Sequence, residues 1–293
     1  MANENFNTLV GKAMQIGDLS AMRPVVEKEL LHYDILFALD KESLLDKITF
    51  QGGTALRLCY GGQRFSEDLD FAGGINFHSA DLMRMKECIE TYIGERYGLE
   101  VFVKEPKDMK AEDERQGIKV DKWQIRVVTA PERPDIPKQM IKIEVARVPA
   151  YTSLAKALHH NYDFLPDGYE DTLVLVESLD EIMADKLIAF PTCQKYIRYR
   201  DLWDLQWLQK QGAVLNMDFV KHKIADYHIQ DYAENLEQMI VRLPEIIRSN
   251  DFKSQMARFI PMSVQERTLG KDKFYDFLEN EMRDLFTEVL LFL

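Results

Sequence analysis

The chain of 293 residues is poor in cysteine, with only Cys59, Cys88 and Cys193, an odd number without a CxxC pair. This excludes a disulfide scaffold or a Cys-rich zinc site and fits a reducing compartment. Glycine (14) and proline (10) are scarce enough to exclude a collagenous or low-complexity chain. The longest purely apolar runs, ILFAL and VLLFL, fall far short of the ~18–20 residues of a membrane helix. The N-terminal MANENFNTLVGKAM has no basic region followed by an apolar one, so a soluble, cytoplasmic protein without membrane attachment is expected. Positive charge is also in short supply. Lys and Arg total 37 against 49 Asp and Glu, a net charge of −12. That argues against a general DNA coat or a polybasic membrane binder. It leaves room for nucleic acid held by one local basic patch, or for nucleotides carried in by metal ions. GxSxG, Walker and GxGxxG motifs are absent, and the six histidines have no HExxH spacing.

Apolar residues at 46% and charged residues at 29% are ordinary for globular chains, and the length suits about two domains. Pro24 to Leu39 reads as a helix, with Val26, Leu30 and Phe37 near one stripe. A short strand, Ile48 to Phe50, leads into Gly52-Gly53 and a brief helix over 54–59. Ser79 is a natural cap for a helix running to Gly98. Strands are expected at 99–103, 118–128, 140–148 and 172–176. A charged loop, Lys107 to Gln116, and a Pro-rich connection, PERPDIP, lie between them. Ser178-x-x-Glu181 is a capping-box pattern, and the chain beyond it reads as helical at 199–211, 217–229, 232–248 and about 271–290. The expected class is α+β: a domain over 1–177 with a small mixed sheet, then a mainly helical domain over 178–293.

The most informative stretch is GGTALRLCYGGQRFSEDLDF, residues 52–71. Asp68 and Asp70 are two apart on an expected strand, so both carboxylates share one face while Leu69 and Phe71 face the core. Two carboxylates set so closely repel unless a cation joins them, and hard oxygen ligands suit Mg²⁺ or Mn²⁺. An Asp-x-Asp is often only a solvated turn, but here apolar flanks make an uncompensated charge costly. Gly52, Gly53 and Thr54 place backbone N–H groups at a helix start, a natural phosphate seat.

A strand, Gly-Gly, a short helix and Asp-x-Asp on a second strand resemble the signature of the polymerase-β-like nucleotidyltransferase superfamily. The fuller string, with Arg64-x-Ser66 leading into Asp68, resembles its AbiEii/AbiGii-type toxin branch. A third carboxylate on a neighbouring strand is common in that superfamily, and Glu144 in Ile-Lys-Ile-Glu-Val is the matching residue; an exposed glutamate on an edge strand is the plainer alternative. Glu181-Ile-Met-Ala-Asp-Lys-Leu and Arg198-Tyr-Arg-Asp-Leu-Trp-Asp-Leu resemble the branch's second signature, which implies catalytic roles for Lys186 and Asp201. Lys186 read alone is a snorkelling helix lysine, and Asp204 is expected to pair with Arg200 on the helix surface. Lys195, Arg198 and Arg200, interleaved with Tyr196 and Tyr199, could grip phosphates and stack bases or form a solvated loop. Trp123, Trp203 and Trp207 are expected in cores, and His159-His160 in a loop.

The resemblance implies a nucleotidyltransferase that takes a nucleoside triphosphate at Gly52, Gly53, Thr54, Arg64 and Ser66. It implies one or two Mg²⁺ (or Mn²⁺) on Asp68, Asp70 and Glu144. It implies the toxin of a toxin–antitoxin or abortive-infection system, with an antitoxin encoded nearby and tRNA as a candidate acceptor. Two other classes fit part of the pattern: an Asp-x-Asp glycosyltransferase, which leaves Gly52-Gly53, Lys186 and Asp201 unused, and a nucleotide-binding module without turnover.

Overall fold

A computed structural model describes residues 5–16, 19–106, 118–133, 135, 137–193 and 195–293. The expected charged loop at 107–116 lies outside the described residues, as do Pro134 and Ile136 of PERPDIP. The chain divides into two compact units, Met1–Glu177 and Ser178–Leu293. The class is α+β, with a seven-stranded open mixed sheet in the first unit and helices throughout the second.

The first unit opens with α1 (Phe6–Gln15) and α2 (Arg23–Lys41). Then follow β1 (Thr49–Gln51), α3 (Gly52–Tyr60) and β2 (Leu69–Ala72). Next come α4 (Met85–Tyr97), β3 (Val101–Lys104), β4 (Val120–Val127) and β5 (Gln139–Ala146). The unit closes with β6 (Leu154–Ala157) and β7 (Leu173–Val176). The sheet order is β3-β4-β5-β2-β1-β7-β6. β2 runs parallel to β5, β1 parallel to β7, and the other neighbours are antiparallel.

Strict alternation sets which way each strand faces. Trp123, Ile125, Val127, Ile141, Ile143, Val145, Leu69 and Phe71 are buried on the helix-covered face. The Phe50 and Phe71 rings stack at 4.9 Å between centroids, fixing β1 against β2. α2 carries three buried carboxylates, each matched by a donor. Glu27 meets Arg23 and Thr129, Glu29 meets Arg57, and Asp34 meets Arg96 and Tyr97. Burial of unmatched charge would be prohibitive, so these pairs fix the helix in one register.

Two expectations change here, and two elements are added. Ser79 caps no long helix: it opens a single 3₁₀ turn, Ser79–Leu82, closed by reciprocal His78 and Asp81 bonds, and α4 begins only at Met85. The helix expected over 54–59 begins two residues earlier, with Gly52 and Gly53 in the first turn of α3. The edge strand β6 and the helix α1 were not read from the sequence; β6 is mostly exposed, so its alternation is not written in apolar residues.

The second unit contains α5 (Leu179–Thr192), α6 (Tyr199–Lys210), α7 (Met217–Asp226) and α8 (Tyr232–Arg248). It continues with α9 (Asn250–Ala257), α10 (Met262–Arg267) and α11 (Asp272–Phe292). Ser178 Oγ accepts from Glu181 N at 3.2 Å and starts α5, as its capping pattern predicts. Leu236, Leu243 and Ile247 of α8 and Leu278, Met282 and Phe286 of α11 are buried at helical spacing. Phe286 stacks on Phe190 of α5 at 5.4 Å. Trp123 and Trp203 are buried, whereas Trp207 is only half-buried. Among the described residues no helix is long and apolar enough to cross a membrane.

Candidate active site

The β1–α3 junction needs both its glycines. Gly52 has φ +78°, where side chains are strained, and a Cβ there would lie 2.9 Å from Asp70 Oδ2. A Cβ on Gly53 would lie 2.2 Å from Arg64 Nη2 and 3.2 Å from Ser66 Oγ. Asp70, Arg64 and Ser66 are therefore packed directly on the two glycines. Gln51 caps α3 without a side-chain bond. First-turn N–H groups have no acceptor within their own helix, so this end of α3 suits an anion. Thr54 Oγ1 donates to the Asp68 carbonyl at 2.5 Å and ties the start of α3 to the start of β2. Arg64 is buried, with Nη1 donating to Phe65 O at 2.7 Å.

The carboxylates stand on the other face of the sheet from its core. Gln51, Asp70, Glu144 and Lys122 form one row of register partners across β1, β2, β5 and β4. Asp68 precedes β2 by one residue; its Oδ1 accepts from Lys142 N at 2.9 Å and its Oδ2 pairs with Lys142 Nζ at 3.3 Å. Glu144 Oε1 pairs with Lys122 Nζ at 2.7 Å. Partial burial works against the Lys142 charge, but Asp68, Glu144 and Glu67 outweigh it and hold the ammonium above the ordinary lysine value. Behind the motif, His32 Nε2 donates to Glu67 O at 3.0 Å; burial keeps this imidazole neutral and lowers its pKa to about 4.

All eight residues expected in this unit thus lie on one connected stretch of β1, α3, β2 and β5. Among the described residues, no three His, Cys, Asp or Glu side chains converge as a ready metal site. Asp68 and Glu144 turn instead to Lys142 and Lys122. The donor chemistry fits a hard divalent cation: carboxylates on one half-exposed face, held by lysines that solvent reaches. Lys122, Lys142 and His32 were missing from the expected site. Alternation places Lys142 and Glu144 on one face, but only the β2–β5 pairing sets Lys142 against Asp68.

The second unit holds its own charged cluster. Lys186 Nζ of α5 lies 3.1 Å from Asp201 Oδ1 and 2.7 Å from Asp204 Oδ2 of α6. All three are buried. Lys186 is therefore no snorkelling surface lysine. Asp204 faces Lys186, and the Arg200 guanidinium lies over the Phe259 ring at 4.7 Å. α6 turns Asp201 and Asp204, three apart, toward the same helix neighbour. Arg198 Nε also pairs with Asp201 Oδ2. Burial alone would raise the Asp201 carboxyl, but Lys186 and Arg198 hold it below the ordinary aspartate value. One turn away on α5, Glu181 and Asp185 both meet Lys223 of α7 at 2.9 Å. In the sequence the i,i+4 acidic pair is the signal for that buried lysine.

No curated protein matches the chain by sequence. Two solved structures resemble it at the level of the chain trace. JHP933 from Helicobacter pylori shares 18% identity, covers 91% of each chain and gives a TM-score of 0.46. A candidate nucleotidyltransferase from H. pylori shares 19% identity, covers 89% of this chain and 97% of its own, and also gives 0.46. The pattern described as nucleotidyl transferase AbiEii toxin, type IV toxin–antitoxin system, matches residues 34–280, from α2 through both charged clusters and into α11. With that match spanning most of both units, the chain belongs to the AbiEii family of nucleotidyl transferase toxins.

Proposed function

We propose that the chain transfers a nucleoside monophosphate from a nucleoside triphosphate to an acceptor hydroxyl, with release of pyrophosphate and dependence on Mg²⁺ or Mn²⁺. The observation that carries this reading is the packing of Asp70, Arg64 and Ser66 on Gly52 and Gly53. It puts an anion seat and a carboxylate on the same two residues. In this reading the N–H groups at the start of α3, Ser66 Oγ and the Arg64 guanidinium take the triphosphate. Asp68, Asp70 and Glu144 hold the metal, which supplies charge compensation at the phosphates and a lowered pKa for the acceptor hydroxyl. Lys142 and Lys122 keep the carboxylates compensated when no metal is bound. Positioning and charge compensation suffice for phosphoryl-type transfer, so few protein groups are needed.

Lys186 and Asp201 are proposed as catalytic on the family's second signature, and their ion pair supports Asp201 as the group that orients the ammonium. The acceptor is proposed to be RNA, with tRNA the first candidate and arrest of translation the toxic outcome. A cytoplasmic location and a separate antitoxin encoded nearby complete the reading.

The test incubates the chain with each α-labelled triphosphate, Mg²⁺ and total RNA. Label should pass to RNA from one or a few triphosphates. EDTA should stop it, and Asp70→Asn should slow it at least about a thousandfold, ~4 kcal/mol in barrier. Equal transfer by wild type, Asp68→Asn and Asp70→Asn would move the site elsewhere. Nucleotide binding without pyrophosphate release would make the chain a binding module.

A further inference from the structure

The sheet face that bears the carboxylates continues outward over β5, β4 and β3. Register places Phe102 of β3, Arg126 of β4 and Met140 of β5 in one cross-strand row. Lys104, Gln124 and Lys142 form the next row, beside Asp68. Lys122 and Glu144 belong to the third, which continues through Asp70 to Gln51. Phe102, on the edge strand, is 50% exposed and Met140 41%, large values for apolar side chains on a sheet face. Lys104, Lys122 and Arg126 are exposed as well. In a chain with net charge −12, four cations stand on this face: Lys122 and Lys142 pair with Glu144 and Asp68, and Lys104 and Arg126 lie farther out, away from the carboxylates. A fifth, Lys86 Nζ, stands 5.7 Å from the Phe102 ring centroid. Glu100 is the acid at the outer rim, beside Val128.

From this arrangement we infer that the outer face of β3, β4 and β5 is the platform on which the acceptor strand lies. The occupant is a single-stranded polynucleotide whose end reaches Asp68 and Asp70. The inference rests on the proposed transfer reaction and names where its acceptor binds. An aromatic ring on an open sheet, flanked by long cationic side chains, matches the chemistry of unpaired bases with their phosphates. Bases stack on Phe102 and Met140; phosphates meet Arg126, Lys104 and Lys122. Duplexes keep their bases stacked inward and have no use for the ring. Strand spacing and rise put Phe102 roughly 20 Å from Asp70, a span that a few extended nucleotides cover. Continuity with the carboxylate row makes this face the acceptor's approach and not a separate surface.

The experiment measures binding of a labelled single-stranded RNA of mixed sequence by anisotropy, at several salt concentrations, with the full chain. Phe102→Ala should weaken binding about tenfold. Arg126→Glu should weaken it by about tenfold or more and lower the slope of log K against log salt by about one. Lys253→Glu, an exposed charge reversal on α9, should stay within about twofold. Nucleoside triphosphate binding, followed in parallel with Mg²⁺, should be unchanged in all three variants, which also confirms that they fold. The inference is overturned if the platform variants bind RNA as the wild type does. Equal weakening by Lys253→Glu, or equal competition by double-stranded RNA, would also overturn it. A wild type that binds triphosphate but no RNA overturns the platform and leaves the nucleotide site standing; one that binds neither overturns both. Loss of a co-purifying protein in variants that keep RNA binding would assign the face to a protein partner instead.

Discussion

Two charged clusters, one in each unit, use the same ingredients in opposite settings. On the sheet face, Lys142 and Asp68 are 37% and 29% exposed. In the helical unit, Lys186 and Asp201 are 6% and 5% exposed. The first pair lies where water screens it, so its net worth is ~0–1 kcal/mol and its cation can be exchanged for another. The second was assembled out of water, and each member depends on the others for compensation. A carboxylate meant to bind and release a charged ligand belongs in the first setting. An ammonium that must keep one orientation belongs in the second. The difference separates ligand exchange from positioning within one proposed reaction.

The largest expected effect comes from the buried cluster. Lys186→Ala leaves Asp201 and Asp204 without their shared cation and should destabilise the helical unit by about 3–5 kcal/mol in urea unfolding. Replacing Lys186, Asp201 and Asp204 together by Met, Asn and Asn should restore most of that stability while transfer stays lost. A single Lys186→Ala variant as stable as wild type would break the comparison, because the cluster would then be no more interdependent than the sheet-face pair.

A smaller effect concerns the support behind the carboxylate face. His32 has a folded pKa of about 4 against an ordinary 6.5, so above 6.5 it is neutral in both states and its contribution is complete. As pH falls below 6.5 the unfolded chain binds a proton that the folded one refuses, and stability declines until about pH 4. Between pH 7.5 and 5 the loss should be about 2 kcal/mol. His32→Gln keeps a donor for Glu67 O without titrating, so its unfolding free energy should fall less over that range. An identical slope would show that the imidazole is already protonated in the folded chain.

The smallest effect sharpens the contrast. Asp68→Asn keeps an acceptor for Lys142 N and removes only a half-exposed charge. Its unfolding free energy should stay within about 1 kcal/mol of wild type. A loss of several kcal/mol would mean that the sheet-face pair is structural, as the buried one is.

Much of the local arrangement was legible because it depends on short range. Alternation in Asp68-Leu69-Asp70-Phe71 and in Ile141 to Val145 assigns each side chain to a face by the two-residue period alone. Ser178 announces α5 by the chemistry of its hydroxyl and the next-turn N–H. Gly52 and Gly53 signal close approach, although the atoms that approach them, on Asp70, Arg64 and Ser66, come from eleven or more residues away. The linear pattern falls short where a residue's partner is distant or where a neighbour takes over its task. Asp204 meets Lys186, eighteen residues away, where the sequence pattern points only to its neighbour Arg200. Ser79 looked like a cap, and His78 with Asp81 took that task for a single turn.

By itself the sequence determined the class, the two carboxylates on one face and the glycine junction, because periodicity, backbone freedom and charge are properties of the chain. Tertiary structure alone decided which cation meets which carboxylate. Parallel pairing of β2 with β5 sets Lys142 on Asp68 and Glu144 beside Asp70, and packing of α5 with α6 and α7 buries Lys186 and Lys223 among acids. Those partners are far apart in sequence, and a buried charge selects its partner by distance in space and loss of water, neither of which a linear pattern contains.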